Sequence, residues 1–525
     1  MATGQELNYD TGANATEMAE TIMGEGVTVV GASYDGARGS SAIYSGGDSI
    51  APGVTPGDSG VILSTGNARS FTRSNGDPNR STGTSTNTSG DNNDPLLNAA
   101  AGGASTFDAS ILTIDFIPDG DTMTMQFVFA SEEYPEFTGS QFNDVVAFYI
   151  NGELVTSPVV NVTQINSVNQ TENANLFNDN TGDAFNTEMD GFTVTLSVQM
   201  AVNPGTVNEL LIAIADVGDS SYDSNILIAA ESGQTAFIAE DDAVTHFEGQ
   251  SVIMDVLAND GTGGVMTITH VNGQEIAVGE TITLPSGHQV TLLADGTLEV
   301  VPPAGQTGLT GPVTESFTYT VQDENGITDT AFVTITAVPC FARGTMIRTP
   351  DGEVAVEDLA VGDLVETRDS GAQPLKWIGA RRVRAEGRFR PVVIEAGTFG
   401  LHGRLVVSPQ HRILLTHWMA ELMFNEDEVL VAAKDLVNGC SVRFAEDMDE
   451  VEYFHLLFDR HQIVWSAGLE TESFQPGPGV MNDMEAAVRD EILSLFPKID
   501  PASHEGYGPA ARRSLKPYEA LALVG

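Results

Sequence analysis

The chain has 525 residues, of which 41% are hydrophobic, and a formal net charge of −50. At roughly 100–200 residues per domain, that length predicts three or four domains with packed cores. No apolar run approaches the ~18 residues of a membrane helix, and two cysteines, Cys340 and Cys440, exclude a disulfide scaffold and a CxxC zinc site.

The charge is unevenly placed. Residues 1–339 hold 4 Arg, no Lys and 44 acidic residues, whereas 340–525 hold the other 19 basic and 29 acidic residues. A Lys-free acidic segment does not bind nucleic acid or anionic membrane electrostatically. It suits divalent cations, above all Ca²⁺, which takes oxygen ligands from carboxylates and amides; the plainer alternative is solubility alone. The start, Met1 to Leu7, is neither basic nor apolar, and the first basic residue is Arg38, so a cleaved secretory signal is not expected. The first 339 residues carry no thiol, which fits export without disulfide machinery.

In chain order, residues 14–24 read as one short helix ending at Gly24. Strands follow to about 338. Met123, Met125, Phe127 and Phe129 alternate with Thr122, Thr124, Gln126 and Val128, and Phe192, Val194, Leu196, Val198, Met200 and Val202 alternate again. That period predicts half-buried antiparallel strands, and residues 1–235 read as a β-sandwich. Residues 74–95, rich in Gly, Asn, Asp, Ser and Thr, read as a long exposed loop. Residues 236–338 read as an immunoglobulin-like sandwich of short strands. From Cys340 the expected strands are short: 346–348, 364–367, 391–395, 405–408 and 412–415. The tail, 477–525, is expected to hold one amphipathic helix over 483–496, its apolar stripe packed as core. The fold class predicted is mainly β throughout.

Two constellations carry chemistry. Asp216, Asp219 and Asp223 follow a strand, and Glu132, Glu133 and Asp144 converge on them if their strands are neighbours. Together they form a candidate Ca²⁺ site, although the spacing is not that of an EF-hand loop. Asp241, Asp242, Asp260 and Asp323 are weaker candidates in the middle unit, reading more readily as turn residues. The second constellation is Cys340, then Ser408-Pro409-Gln410-His411, then His455 and His461. A thiol, a Ser-x-x-His and two further histidines could rearrange the peptide bond before the thiol. Cys440 reads as core or incidental, and His402 and His417 have no supporting motif.

The last unit, 340–476, resembles the Hint (Hedgehog/intein) domain of bacterial secreted proteins. Cys340 with Gly344-Thr345, the run Asp351 to Leu359 followed by Val361-Gly362-Asp363, the block Val406 to His411, and Tyr453-Phe454-His455-Leu456 through His461 to Leu469 carry the likeness. Ser408 stands where the family has Thr, and His455 where inteins often have Asp. The middle unit resembles bacterial cadherin-like repeats through Val256 to Asp260 and Phe317 to Asp323. The first resembles choice-of-anchor L domains through Phe129 to Tyr134, Phe142 to Val145 and Ala215 to Ser224.

The Hint resemblance implies an all-β horseshoe that processes itself at Pro339–Cys340 without a cofactor. Cys340 attacks the Pro339 carbonyl to give a thioester, and His411 protonates the departing nitrogen. Ser408 bonds the scissile peptide, and His461 or His455 deprotonates the thiol. The thioester then passes to water, a thiol or an amine. Splicing needs a His-Asn end that Gly468 to Ser473 lacks, so cleavage or transfer is expected instead. The Pro339 ring crowds its own carbonyl, which predicts a slow shift.

The whole chain is thus expected to be an exported surface or matrix protein, reaching cell-surface or matrix partners by a leaderless route. It has no nucleic-acid partner and no membrane span. The competing expectations are a non-enzymatic adhesion protein stabilised by Ca²⁺ and, ranked last, a glycan-binding or glycan-hydrolysing sandwich suggested by acidic pairs such as Glu132-Glu133.

Overall fold

The computed structural model describes residues 2–81, 83–88, 90–157, 163–246, 251–261, 265–301, 314–337, 340–385, 390–424, 426–445, 448–475, 496, 507–515 and 520. The fold is mainly β, with sheets that follow one another in pairs along the chain. Of the expected tail helix over 483–496, only Phe496 lies within the described residues.

The early helix forms over Ala15–Ile22, inside the expected 14–24. Asn14 caps it by accepting from the Thr16 and Glu17 amides, and Glu17 accepts from the Asn14 amide in return, which satisfies two kinds of orphan donor at once. Met18, Ala19 and Ile22 share one face and enter the core. Extended backbone at Met23 ends the helix before Gly24.

Two sheets then face each other. One has the order Asn8–Asp10, Ser41–Ser45, Ser59–Ser64, Ser224–Ala229, Thr122–Ser131, Gly191–Thr193 and Phe177–Asp179, with Leu196–Ala201 also on Thr122–Ser131. The other runs Val27–Asp35, Thr106–Pro118, Asn208–Val217, Val145–Ile150 and Glu153–Leu154, with Thr163–Gln164 also on Val145–Ile150. The strand Thr122–Ser131 corrects the half-buried expectation, because all but Thr122 is buried. Met123, Met125, Phe127 and Phe129 fill the core between the sheets. Val128 and Ala130 pack in a second cluster on the opposite face, and Thr124 and Gln126 on that face meet the next unit.

The second alternating run is split. Phe192 pairs with Ala130, but Leu196 pairs with Phe127, a slip of one residue along the same partner strand. Side chains alternate with period two, so a one-residue slip exchanges faces. Phe192 accordingly joins the second cluster, while Val194, Leu196, Val198, Met200 and Val202 stay in the main core. The described residues of 74–94 form no strand or helix, yet they are less exposed than expected: Asn79 and Thr84 are buried.

The second unit pairs a five-stranded with a four-stranded sheet. It is tied to the first by specific polar contacts. Thr124 Oγ1 donates to Asp329 Oδ1 (3.0 Å), Gln126 Nε2 to Thr328 O (2.9 Å), Gln199 Nε2 to Ala239 O (2.6 Å) and Asn272 Nδ2 to Asn175 O (2.7 Å). Phe332, from the strand Thr328–Ala337, is buried within the first unit's core.

In the third unit, a six-stranded sheet has the order Trp377–Arg384, Glu450–Leu457, Phe341–Ala342, Leu405–Val407, Val392–Ile394 and Val442–Phe444. A larger sheet includes Met346–Thr349, Ile463–Ser466, Leu469–Glu472, Arg412–Thr416 and Glu428–Ala432. These match the expected short strands within a residue or two. Residues 507–515, beyond the expected unit, return across it. Tyr507 donates its hydroxyl to Phe458 O (2.8 Å), the Leu515 amide donates to Leu430 O (2.8 Å), and Arg513–Ser514 pair parallel to Glu428–Ala432.

Because Phe332 is shared between the cores, the first two units should unfold together in a single calorimetric transition. Phe332→Ala should cost about 3–5 kcal/mol and split that transition in two; two independent transitions in the parent protein would refute the coupling.

Candidate functional site

The strand Phe341–Ala342 is short, but it lies inside its sheet with a partner on each side. Phe341 pairs with Val407 on one flank and with Phe454 on the other, both antiparallel. One step back along each register puts Cys340 opposite Ser408 and opposite His455, so two positions 68 and 115 residues away reach the thiol by strand pairing alone. Phe341 fixes the register: it is 1% exposed and belongs to the core.

The contacts follow the pairing. The Cys340 amide donates to Ser408 Oγ at 2.8 Å, and the Ser408 amide donates back to Cys340 O at 2.9 Å. Cys340 Sγ lies 3.4 Å from His455 Nε2. Cys340, Ser408 and His455 are all buried. Cys340 is therefore held at its nitrogen by a hydroxyl and approached at its sulfur by an imidazole. Pro339, the other side, lies outside the described residues.

His411 is placed by the turn after Ser408, its amide donating to Ser408 O at 3.1 Å. Its ring packs on Phe341, with centroids 4.2 Å apart. Neither ring nitrogen has a hydrogen-bond partner among the described residues. Burial pushes its basicity down to about 4, against the opposing pull of Glu472 and with the help of Arg412, His455 and His461. His411 is therefore neutral at pH 7, which alters the expected general-acid role, since no imidazolium stands ready to donate.

His461 is engaged elsewhere. Its Nδ1 accepts from the Ala511 amide at 2.9 Å, and Nε2 lies 3.0 Å from Ser473 O and 3.5 Å from Glu472 Oε2. An Nδ1 that accepts from an amide carries no proton, so Nε2 carries it and donates to the Ser473 carbonyl. Of the two histidines expected to act on the thiol, the structure brings His455 to the sulfur and commits His461 to the opposite strand and the returning tail.

Glu472 is the group that sequence reasoning missed. It is 1% exposed and accepts from the Arg412 amide (2.9 Å) and from Arg412 Nη1 (3.2 and 3.3 Å). Burial alone would raise its carboxyl, but Arg412 and His461 hold it at about 2. The one sequence signal was an Arg directly after the motif histidine; nothing in the spacing paired it with a glutamate 60 residues on. The remaining candidates lie apart. Cys440 is exposed rather than core. His402 bonds Gly403 O and accepts from the Phe399 amide, and His417 accepts from the Met419 amide.

Residues 339–478 match the family model of the Hint domain. The C-terminal unit is similar to that family over this stretch. Residues 8–234 match the choice-of-anchor L domain and 234–336 the bacterial Ig domain. Among solved structures, the crystal structure of the gp41-1 intein is similar at 12% identity, covering 25% of this chain and 97% of that one, with a TM-score of 0.18. The solution structure of a bacterial intein-like domain from Clostridium thermocellum is similar at 16% identity, covering 26% and 98%, with a TM-score of 0.18. No curated protein matches the chain.

Outside the Hint domain, the expected metal ligands of the choice-of-anchor L unit are five buried carboxylates and one exposed one. Glu132, Glu133, Asp144, Asp216 and Asp223 are buried, whereas Asp219 is exposed and accepts from the Ser221 amide in a turn. Among the described residues, no three His, Cys, Asp or Glu side chains stand together as a metal shell. In the Ig unit, Asp260 accepts from the Tyr319 hydroxyl (2.9 Å) and the Glu240 amide, Asp241 accepts from the Phe332 amide, and Asp323 accepts from the Asn325 and Ile327 amides. These bonds fit turn and edge positions. Among the described residues no helix is long and apolar enough to cross a membrane.

The buried histidine makes the Hint domain sensitive to acid. His411 titrates at about 4 when folded and near 6.5 when unfolded. Between those values the unfolded chain binds the extra proton, so stability falls as pH drops from about 6.5 to 4. Glu472, held near 2, removes more stability below about 4.5. In the Cys340→Ala chain, the His411 contribution to the urea transition of the Hint unit should fall by on the order of 3 kcal/mol from pH 7 to pH 4, so His411→Gln should flatten the upper part of the fall in that transition.

Proposed function

We propose that the Hint domain cleaves or transfers the segment before it by an N-to-S acyl shift at Pro339–Cys340. The observation that carries this reading is the double grip on Cys340, with Ser408 on its amide nitrogen and His455 on its sulfur.

The thiol proton passes to His455 Nε2 as Sγ attacks the Pro339 carbonyl carbon. The carbon–sulfur bond forms, and the carbon–nitrogen bond breaks as the nitrogen takes up a proton. Ser408 is positioned to hand over that proton, because its oxygen already contacts the nitrogen; it is restored through His455, or through His411, neither of whose ring nitrogens has a hydrogen-bond partner among the described residues. Overall the sulfur loses one proton, the nitrogen gains one, and the product is a thioester with a free amine. Attack by water, a thiol or an amine then releases residues 1–339 or joins them to the acceptor. Gly468 to Ser473 contain no His-Asn pair, so the domain has no means of cutting its own other end.

In this reading the choice-of-anchor L and Ig units are the passenger, an acidic surface or extracellular module whose partners are cell-surface or matrix components. The support is the family match of the first unit and a Lys-free charge of 4 Arg against 44 acidic residues before Cys340.

Intact-mass measurement tests the chemistry. The purified chain in millimolar thiol should yield fragments spanning 1–339 and 340–525, and Cys340→Ala should yield neither. Ser408→Ala should slow the reaction by roughly 10²–10⁴-fold, the range of a positioned proton-transfer group. The same fragments from Cys340→Ala would end the proposal.

A further inference from the structure

Where the central strands of the choice-of-anchor L unit run out, several buried oxygens lack any hydrogen-bond donor. Ser131 pairs with Ser224, and one step further Glu132 and Asp223 lie opposite each other, the Glu132 amide donating to Asp223 O at 3.2 Å. On the other flank the register of Asn225 with Ser64 carries Asp223 to Gly66. A Cβ added to Gly66 would stand 2.0 Å from Asp223 Oδ2, so this carboxylate lies over bare backbone that only glycine supplies.

The segment 83–88 closes over the pair. The Thr84 amide donates to Glu132 Oε1 (2.8 Å), Thr84 O accepts from the Asp223 amide (2.8 Å), and the Thr86 amide donates to Asp223 Oδ1 (2.6 Å). Each carboxylate thus has one oxygen held by an amide. The others, Glu132 Oε2 and Asp223 Oδ2, have no partner, and neither does the hydroxyl of Thr84, whose backbone bonds both residues. The three residues are 1%, 2% and 4% exposed. The buried Asp216, whose charge Asp223 opposes, likewise has its Oδ1 unpartnered.

Before Cys340, every buried side-chain atom left unpartnered among the described residues is an oxygen, apart from Arg73 Nε. The charged groups acting most on Glu132 and Asp223 are all acidic. Buried acceptors without donors are costly. A proton satisfies one such oxygen at a time, while a cation satisfies several and offsets the charge.

We propose that Glu132, Asp223 and Thr84 bind one hard divalent cation, Ca²⁺ by its chemistry, beneath the segment 83–88. An all-oxygen set with two carboxylates matches a doubly charged hard ion. Ca²⁺ accepts irregular shells that Mg²⁺ does not. The shell contains two acidic side chains, not the six expected from sequence, and water fills its remaining positions. The bound ion fastens the covering segment to the ends of two central strands. This site is independent of the thioester chemistry.

Titration calorimetry on the full chain carrying Cys340→Ala and stripped with EDTA tests the proposal, using CaCl2 and, separately, MgCl2. Calcium should bind more tightly than magnesium and raise the melting temperature. Asp223→Asn and Glu132→Gln should each weaken calcium binding at least about 10-fold, the lower end of what even outer-shell partners contribute. Asp219→Asn should leave binding unchanged. Thr84→Val keeps the side-chain shape while removing the oxygen, so it decides the matter if a carboxylate variant does not fold. No binding heat and no thermal shift with calcium, magnesium binding as tight as calcium, or undiminished calcium binding in Asp223→Asn or Thr84→Val would overturn the site.

Discussion

The pairing of Phe341 with Val407 on one side and Phe454 on the other is the constraint on which the C-terminal unit's chemistry depends. A two-residue strand contributes little by itself. It is secured by the buried Phe341 side chain, which belongs to the core and packs against the His411 ring. A slip of one residue would turn Cys340 to the opposite face and separate it from both Ser408 and His455. One hydrophobic anchor therefore sets the position of the nucleophile, the hydroxyl on its amide and the imidazole on its sulfur. Truncating Phe341 would remove packing and chemistry together.

A second level of order lies behind that strand. Arg412, next to His411 in sequence, reaches Glu472 through both its backbone and its guanidinium, and Glu472 lies beside His461. Taking these charges out of water is costly, and the cost is offset where Glu472 accepts from both the Arg412 amide and its guanidinium. The exposed ion pairs of this unit, such as Arg512 with Asp369, are worth far less. The 19 basic residues after Cys340 therefore differ in importance: one guanidinium secures the turn that carries His411, whereas Arg512 pairs with an exposed carboxylate.

The sequence was most informative where chemistry is local. The blocks around Cys340, Ser408 and His411 are contiguous, and the short strands of the last unit follow directly from their alternation. It was least informative where the deciding event is a register. The split between Phe192 and Leu196 reads as one continuous alternation, because a one-residue slip leaves the hydrophobic pattern intact while exchanging faces. The covering role of 83–88 was hidden for a similar reason: Gly, Ser and Thr read as solvent-facing whether or not they lie over buried carboxylates. Choosing between His455 and His461 needed the cross-strand partner of each, which spacing does not encode.

The passenger's last strand, Thr328–Ala337, links these levels. It carries Asp329 and Phe332, which lock the Ig unit onto the choice-of-anchor L unit, and only residues 338 and 339 separate its end from Cys340. A thiol attacking the carbonyl just before it gains most when both sides of the bond are already oriented, since the entropy of alignment has been met during folding. In the proposed acyl shift, the Phe341 register orients the amine side of that bond.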